Sequence, residues 1–195
     1  MIDGDQYNIT IARQIFRNTI EAIRLWIDLE SMEIILNFSR NINLGILSID
    51  VDGNDYWFLE KLISIRPSLI ISEFNVALGN RPISVPYDSK FTRFSKHPGG
   101  EYYGASISAI TYLCNKNGYS LTKISDNGIN AFFVRNDLIH DVNDKMCADE
   151  IELCKIYPDG NVAPSLDLWD EIKHLPFVDV TLPDASAFSQ GRRTE

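Results

Sequence analysis

The chain has 195 residues, 45% of them hydrophobic, and this composition predicts one well-packed core rather than two independent domains. Its formal net charge of −9 argues against binding to nucleic acid, which relies on clustered Lys and Arg side chains. The three cysteines form no Cys-x-x-Cys pair, and we find neither a signal peptide nor an apolar run near the ~20 residues of a membrane helix. We therefore expect a cytoplasmic protein with free thiols and no membrane segment.

The N-terminal elements are predicted to alternate between short strands and helices. Residues 1–5 resemble the end of a strand that runs at once into a polar turn. Asn8 can cap a helix that continues to about residue 17. A short strand over residues 22–27 and a helix with an apolar face over residues 29–39 follow.

A continuous apolar run at residues 45–49 then ends in a cluster of acids, Asp50, Asp52 and Asp55. Such a run is typical of a buried parallel strand, and ligands bind at the carboxyl ends of strands in open α/β sheets. The acids could bind a metal, act as a general base, or only cap the following helix at residues 56–65. Their mutual repulsion favours a site, because a bound cation or substrate would relieve it.

A second apolar strand, at residues 69–75, also ends in polar side chains, Glu73 and Asn75. Two neighbouring strand ends would then build one polar site. Asp50 together with Glu73 and Asn75 offers the oxygen ligands that Mg²⁺ accepts, so these three residues are the candidate metal ligands.

The following residues predict a long excursion and then a closing hairpin. Residues 76–100 are rich in proline and glycine with little periodicity, and loops of this length often cover a binding site. A helix is predicted over residues 104–117. Strands at 120–125 and 129–135 are joined by the tight-turn sequence Asp-Asn-Gly, which implies an antiparallel hairpin.

The whole order of elements predicts an α/β domain that closes with an antiparallel pair. We assign residues 1–137 to this domain, residues 138–181 to a C-terminal extension and residues 182–195 to a mobile tail. Helices are predicted within the extension at residues 145–154 and 166–175.

Two short resemblances centre on Asp50 and Asp52. The string Asp-Val-Asp-Gly-Asn at residues 50–54 resembles the nucleophile motif of haloacid-dehalogenase-type phosphatases, in which the first Asp attacks phosphorus and the second is the acid/base. The hairpin that follows the motif in that family is absent, since the chain continues directly into residues 56–59, and no later acidic pair is found in a suitable Gly-Asp context. Asp50-x-Asp52 also resembles the metal motif of nucleotide-sugar glycosyltransferases.

A longer resemblance extends from Gly45 to Leu138. Several segments occur in the order typical of the carboxyl-terminal part of FkbM-type class I methyltransferases, which use S-adenosylmethionine (SAM): LSIDVDGNDYW at 47–57, RPSLIISEFN at 66–75, VPYD at 85–88, YGAS at 103–106 and GINAFFVR at 128–135. The resemblance implies a Rossmann-like class I methyltransferase sheet, mostly parallel with a C-terminal antiparallel hairpin. It also implies methyl transfer from SAM, with O-methylation of a small-molecule acceptor expected.

This resemblance also assigns roles to acids. An acid ending the second strand of these enzymes bonds the SAM ribose, which makes Asp3, with Asp5 close by, the candidate cofactor-binding residue. Asp50 and Asp52 would lie nearest the transferred methyl group, and either could deprotonate the acceptor hydroxyl. Alternatively, Asp50 with Glu73 and Asn75 could hold Mg²⁺ that lowers the pKa of that hydroxyl. Asp50, Asp52 and Glu73 are therefore the catalytic candidates.

The first strand and the glycine-rich turn of the family are missing, and no Gly-x-Gly occurs in the chain. We therefore expect an N-terminally truncated methyltransferase domain. A non-catalytic remnant that serves as a binding module stays open as an alternative. An absent strand would also leave an exposed sheet edge through which the protein could self-associate.

Overall fold

A computed structural model describes residues 1–17, 19–141, 144–157, 159–183 and 185. Its α-helices are α1 (Gln6–Phe16), α2 (Met32–Ser39), α3 (Asp55–Leu62), α4 (Arg93–Lys96), α5 (Ile107–Lys116) and α6 (Ser165–Ile172). Its β-strands are β1 (Ile2–Asp3), β2 (Ile23–Arg24), β3 (Ile46–Ile49), β4 (Leu69–Glu73), β5 (Ile83–Ser84), β6 (Tyr119–Ile124), β7 (Asn130–Arg135), β8 (Cys154–Ile156), β9 (Val162–Pro164) and β10 (Val178–Asp179).

The central sheet has four strands in the order β3-β4-β7-β6. Strands β3 and β4 are parallel, whereas β7 is antiparallel to both of its neighbours, β4 and β6. The predicted hairpin is therefore present, as β6 and β7. The remaining strands form three separate two-stranded sheets, of which β1-β2 is parallel and β5-β10 and β8-β9 are antiparallel.

The prediction of a mostly parallel, Rossmann-like sheet is wrong. The fold is α/β, but its central sheet is mixed and contains one parallel pair, β3-β4. Two features account for the difference. Strands β1 and β2 have two residues each and pair with one another rather than with β3. The hairpin β6-β7 then occupies the other side of β4, so that half of the sheet is antiparallel.

Helices α3 and α5 pack with the sheet into the main hydrophobic core. Trp57 of α3 and Phe133 of β7 are fully buried there. In α5, Ile107 and Ile110 recur at helical spacing on the buried face, and the Ser106 hydroxyl caps the helix by accepting a hydrogen bond from the backbone N–H of Ala109. The predicted helix at residues 104–117 is confirmed with slightly shorter bounds.

Helix α1 begins earlier than predicted. Its N-cap is Asp5, whose carboxylate accepts a hydrogen bond from the backbone N–H of Tyr7, whereas Asn8 lies inside the first turn. The helix contributes Ile9 and Ala12 to a small cluster of its own with Ala22, apart from the main core.

The helix predicted at residues 145–154 is wrong. This segment contains a 3-10 turn at Ala148–Glu150 and then strand β8, which pairs with β9. Ile151 and Leu153 pack against the main core with the two-residue alternation of an extended chain. The helix predicted at residues 166–175 is confirmed as α6.

The residues after β7 pack onto the rest of the molecule. Strand β10 pairs with β5, and Val178 and Val180 join the main core. The assignment of residues 138–181 to an extension remains a prediction. Most of the tail predicted at residues 182–195, namely residues 184 and 186–195, lies outside the described part of the chain.

Candidate functional site

The register of β3 against β4 places the predicted acids side by side. Ile49 pairs with Ser72 in the parallel ladder, so the next residues along, Asp50 and Glu73, emerge together at the carboxyl ends of the two strands. Each of Asp50, Asp52 and Glu73 contributes a carboxylate oxygen, and these oxygens all lie within 4.8 Å of one another. The prediction that the two strand ends share one polar site is confirmed. We call these three residues the carboxylate trio.

Asp55, the third acid after β3, holds the backbone of the turn that follows this strand. It is fully buried at the start of α3, and its carboxylate accepts hydrogen bonds from the backbone N–H groups of Val51 (3.0 Å) and Gly53 (2.9 Å). Burial raises its pKa to about 6, although these two bonds favour the charged form. Asp55 therefore fixes the turn that presents the trio. It does not cap α3, because the N-cap position is Asn54 and the bonds to Asp55 come from residues before the helix.

The turn holds Asp52 in an unusual backbone conformation. Its φ of 54° lies in the left-handed region, which non-glycine residues seldom adopt and in which Asp and Asn are enriched. The side chain is exposed and directed toward α4, where it meets Arg93. Strained conformations of this kind cluster at functional sites.

Arg93 of α4 is the cation of the site, and sequence reasoning missed it. Its Nη1 lies 3.0 Å from Asp52 Oδ1 and 3.8 Å from Glu73 Oε1. Its Nε donates to the carbonyl oxygen of Gly100 at 2.7 Å, and the guanidinium lies 3.5 Å from the centre of the Tyr103 ring. Arg93 lies within the aperiodic segment 76–100, so no local signal in the sequence marks its role.

The electrostatics of the trio differ from residue to residue. Burial raises the pKa of Glu73 to about 8, and the nearby charges of Asp55 and Asp50 add to this effect while Arg93 opposes it. Glu73 is consequently largely protonated at pH 7. Burial and then Asp52 also raise the pKa of Asp50, again against the influence of Arg93.

Asn75, a predicted metal ligand, holds the backbone after β4. Its Nδ2 donates to the carbonyl oxygens of Glu101 (2.7 Å) and Tyr103 (2.9 Å), and its Oδ1 accepts from the backbone N–H of Ala77 (2.9 Å). The residue is 2% exposed. Because its amide is engaged at both ends with backbone groups, we leave Asn75 out of the candidate ligand set.

A cleft of about 620 Å³ connects the two groups of predicted site residues. Asp3 and Asp5 line it, and so do Asp50 and Asp52. Asp3 accepts hydrogen bonds from the backbone N–H of Asp5 (2.7 Å) and from the side chain of Asn8 (3.0 Å), while Asp5 caps α1. Both acids therefore help to order the start of α1 and also face the cleft.

The long segment after β4 forms part of the cleft wall, as predicted from its length. Residues 91–95 line the cleft. The segment is tied to the rest of the molecule at Asp88, whose carbonyl oxygen accepts a hydrogen bond from the Asn54 amide (2.9 Å). The Asp88 carboxylate pairs with Lys96 (2.6 Å) inside the segment. Phe91 packs directly over Gly53 in the turn after β3.

No family model, no curated protein and no solved structure matches this chain. The assignment of a function therefore depends on the site itself. In the part of the chain that the structure describes, there is no helix of the length and apolar character needed to span a bilayer.

Proposed function

We propose that the chain binds SAM in the cleft and transfers its methyl group to an oxygen of a small-molecule acceptor. One observation carries the proposal: the same cleft is lined by Asp3 and Asp5 and by Asp50 and Asp52. These are the acids that the resemblance to FkbM-type methyltransferases assigns to the cofactor ribose and to the transfer. The cleft volume of about 620 Å³ suits a ligand of nucleoside size.

The cleft offers groups that fit a nucleoside donor. Each Asp3 oxygen already accepts one hydrogen bond and has a lone pair left for a ribose hydroxyl. Trp26 and Phe58 supply aromatic surface for a base. When bound, SAM would supply an electrophilic methyl group. Because the chain has no Gly-x-Gly turn, its affinity for the donor would depend on these side chains.

Asp50 is the proposed general base. It lines the cleft, and its raised pKa brings it closer to the range in which a carboxylate accepts a proton efficiently near neutral pH. It would take the proton of the acceptor hydroxyl as the oxygen attacks. Glu73 is a poor base at pH 7 because its pKa of about 8 leaves it protonated. We assign it a supporting role, donating or sharing a proton within the trio. The proposed setting is the cytoplasm.

Calorimetry with SAM and with S-adenosylhomocysteine tests the proposal. We expect wild type to bind both, and we expect Asp3→Asn to weaken SAM binding by about tenfold, the value of a charge-assisted hydrogen bond. Asp126→Asn, in the exposed turn between β6 and β7, is the matched control and should bind like wild type. Absence of binding at millimolar SAM in a folded wild-type protein would refute the proposal.

Turnover separates the enzyme from a binding module. Formation of S-adenosylhomocysteine would be measured with a panel of small alcohols, phenols and sugars. We expect Asp50→Asn to reduce the rate by about 10²–10⁴-fold while SAM affinity stays within about threefold. A chain that binds SAM and yields no product with any acceptor would support the binding-module alternative.

A second candidate is a metal-dependent phosphatase or glycosyltransferase that uses Asp50 and Asp52. The observation that favours it is the grouping of three carboxylates at one strand end. This candidate requires activity on a phosphate ester or a nucleotide sugar that depends on Mg²⁺ and survives Asp3→Asn.

A further inference from the structure

We propose that the carboxylate trio is a site for a divalent cation and that the guanidinium of Arg93 occupies this site when no cation is bound. The proposal goes beyond the methyl transfer argued above, which needs no metal. It is tested without a methyl donor or an acceptor, so the two proposals can fail separately.

The geometry of the trio suits a hard divalent cation. Such ions bind carboxylate oxygens at about 2.0–2.6 Å, so two oxygens on one ion lie no more than about twice that distance apart. Oxygens from Asp50, Asp52 and Glu73 all lie within 4.8 Å of one another. Asp50 and Asp52 are exposed, which leaves the cleft side of the site open to an entering ion.

An independent observation points to a missing ligand. The Glu73 side chain is 9% exposed, and its Oε2 has no hydrogen-bond partner among the described residues. A buried carboxylate oxygen without a partner is unfavourable, and buried polar groups nearly always find one. A cation shared with Asp50 and Asp52 would satisfy this oxygen.

Arg93 takes the place of that cation in the structure. Its Nη1 approaches Asp52 and Glu73 together, at 3.0 and 3.8 Å, while its Nε is bonded to the backbone at Gly100 and its plane stacks on Tyr103. One singly charged group therefore contacts two of the three members of the trio, Asp52 and Glu73. A divalent ion between the same oxygens and this guanidinium would compete for the same space and the same charge, so binding of the ion requires Arg93 to release Asp52.

The experiment measures binding of Mn²⁺ to the full chain by electron paramagnetic resonance of the free ion, with Mg²⁺ as the competitor. We expect weak binding by wild type and at least tenfold tighter binding by Arg93→Gln. Lys96→Gln is the matched control, because it removes one positive charge from the same helix while its partner is Asp88. It should bind within about threefold of wild type, since an exposed charge farther from the ion is screened. Adding Asp52→Asn to Arg93→Gln should then weaken binding at least tenfold.

Two results would overturn the proposal. One is Arg93→Gln binding Mn²⁺ no more tightly than Lys96→Gln in proteins with native circular dichroism. The other is binding in the Arg93→Gln background that Asp52→Asn leaves unchanged. Should Arg93→Gln fail to fold, Arg93→Lys replaces it, because lysine has no planar guanidinium to stack on Tyr103 and no Nε–H to donate to Gly100. At least threefold tighter binding than wild type is then expected, and no gain overturns the proposal.

Discussion

At the scale of single residues, Glu73 and Asp55 make the stability of the protein depend on pH. Their pKa values in the folded chain are raised to about 8 and about 6 from ordinary values of 4.5 and 3.8. Between the ordinary and the raised values the folded state binds more protons than the unfolded state, so the free energy of unfolding falls as the pH rises. We expect a decrease on the order of a few kcal/mol between pH 5 and pH 8.5, measured by urea denaturation.

Glu73→Gln isolates the contribution of Glu73. The neutral amide cannot ionise, so the decrease in unfolding free energy between pH 6 and pH 8.5 should largely disappear, and at pH 8.5 the variant should equal or exceed wild type in stability. A variant that keeps the full wild-type slope over this range would show that Glu73 ionises as an ordinary glutamate in the folded chain.

Gly53 is a residue whose lack of a side chain shapes the cleft. A Cβ at this position would lie 2.1 Å from Cδ1 of Phe91, which lines the cleft. We expect Gly53→Ala to displace the Phe91 ring and to lower the free energy of unfolding by about 1–3 kcal/mol in urea denaturation. Gly45→Ala is the control, because nothing lies within 4 Å of its added Cβ. Equal stabilities for the two variants would contradict this packing.

At the scale of elements, a partly buried ion pair ties β8 to the segment that follows α4. Lys155 Nζ lies 2.5 Å from Glu101 Oε1, and Glu101 is 6% exposed. Lys155→Met leaves a buried carboxylate without its cation, so we expect a loss of about 3 kcal/mol in unfolding free energy by urea denaturation. Adding Glu101→Gln removes the charge and should restore most of the loss. If the double variant is no more stable than Lys155→Met alone, the pair does not couple these elements.

Local patterns in the sequence predicted the elements that carry their own signal. The apolar runs of β3 and β4, each ending in acids, predicted both the strands and the meeting of Asp50 with Glu73. The helical spacing of Ile107 and Ile110 predicted α5 in the same way.

Features set by distant partners could not be predicted. The antiparallel pairing of β7 with β4 depends on contacts across more than fifty residues of sequence, and it decided the sheet class. Strand β8 exists because β9 pairs with it, which no periodicity in its three residues reveals. Arg93 reaches Asp52 only through the course of an aperiodic segment. The acids at the strand ends could therefore be predicted from the sequence, whereas Arg93, the cation that pairs with them, could not.

At the scale of the whole molecule, the central sheet has an open edge. Strand β3 pairs with β4 on one side, and among the described residues its other edge has no strand partner. Ile46 on this strand is 57% exposed. We expect concentration-dependent self-association of two copies through this edge, strengthened by salt because the net charge of −9 repels identical chains at low ionic strength.

Sedimentation velocity at several protein concentrations measures this association. Ile46→Lys should shift the equilibrium toward monomer, because a charged side chain on an edge strand disfavours pairing. Val162→Lys, at an equally exposed position on β9, is the control and should associate like wild type. A monomer at the highest concentration and at high salt would rule out the edge as an interface.

Two of the three tryptophans, Trp26 and Trp57, occupy opposite surroundings, and this gives the molecule an intrinsic fluorescence signal. Trp26 is 59% exposed, lines the cleft and donates its indole N–H to the carbonyl oxygen of Ser89 (3.3 Å), whereas Trp57 is fully enclosed in the core. A ligand that covers Trp26 replaces the water around the indole ring. The fluorescence emission of Trp26 should then move to shorter wavelength, while that of Trp57 stays constant. Occupancy of the cleft can thus be followed by intrinsic fluorescence, without any label, from the first ligand screen onward.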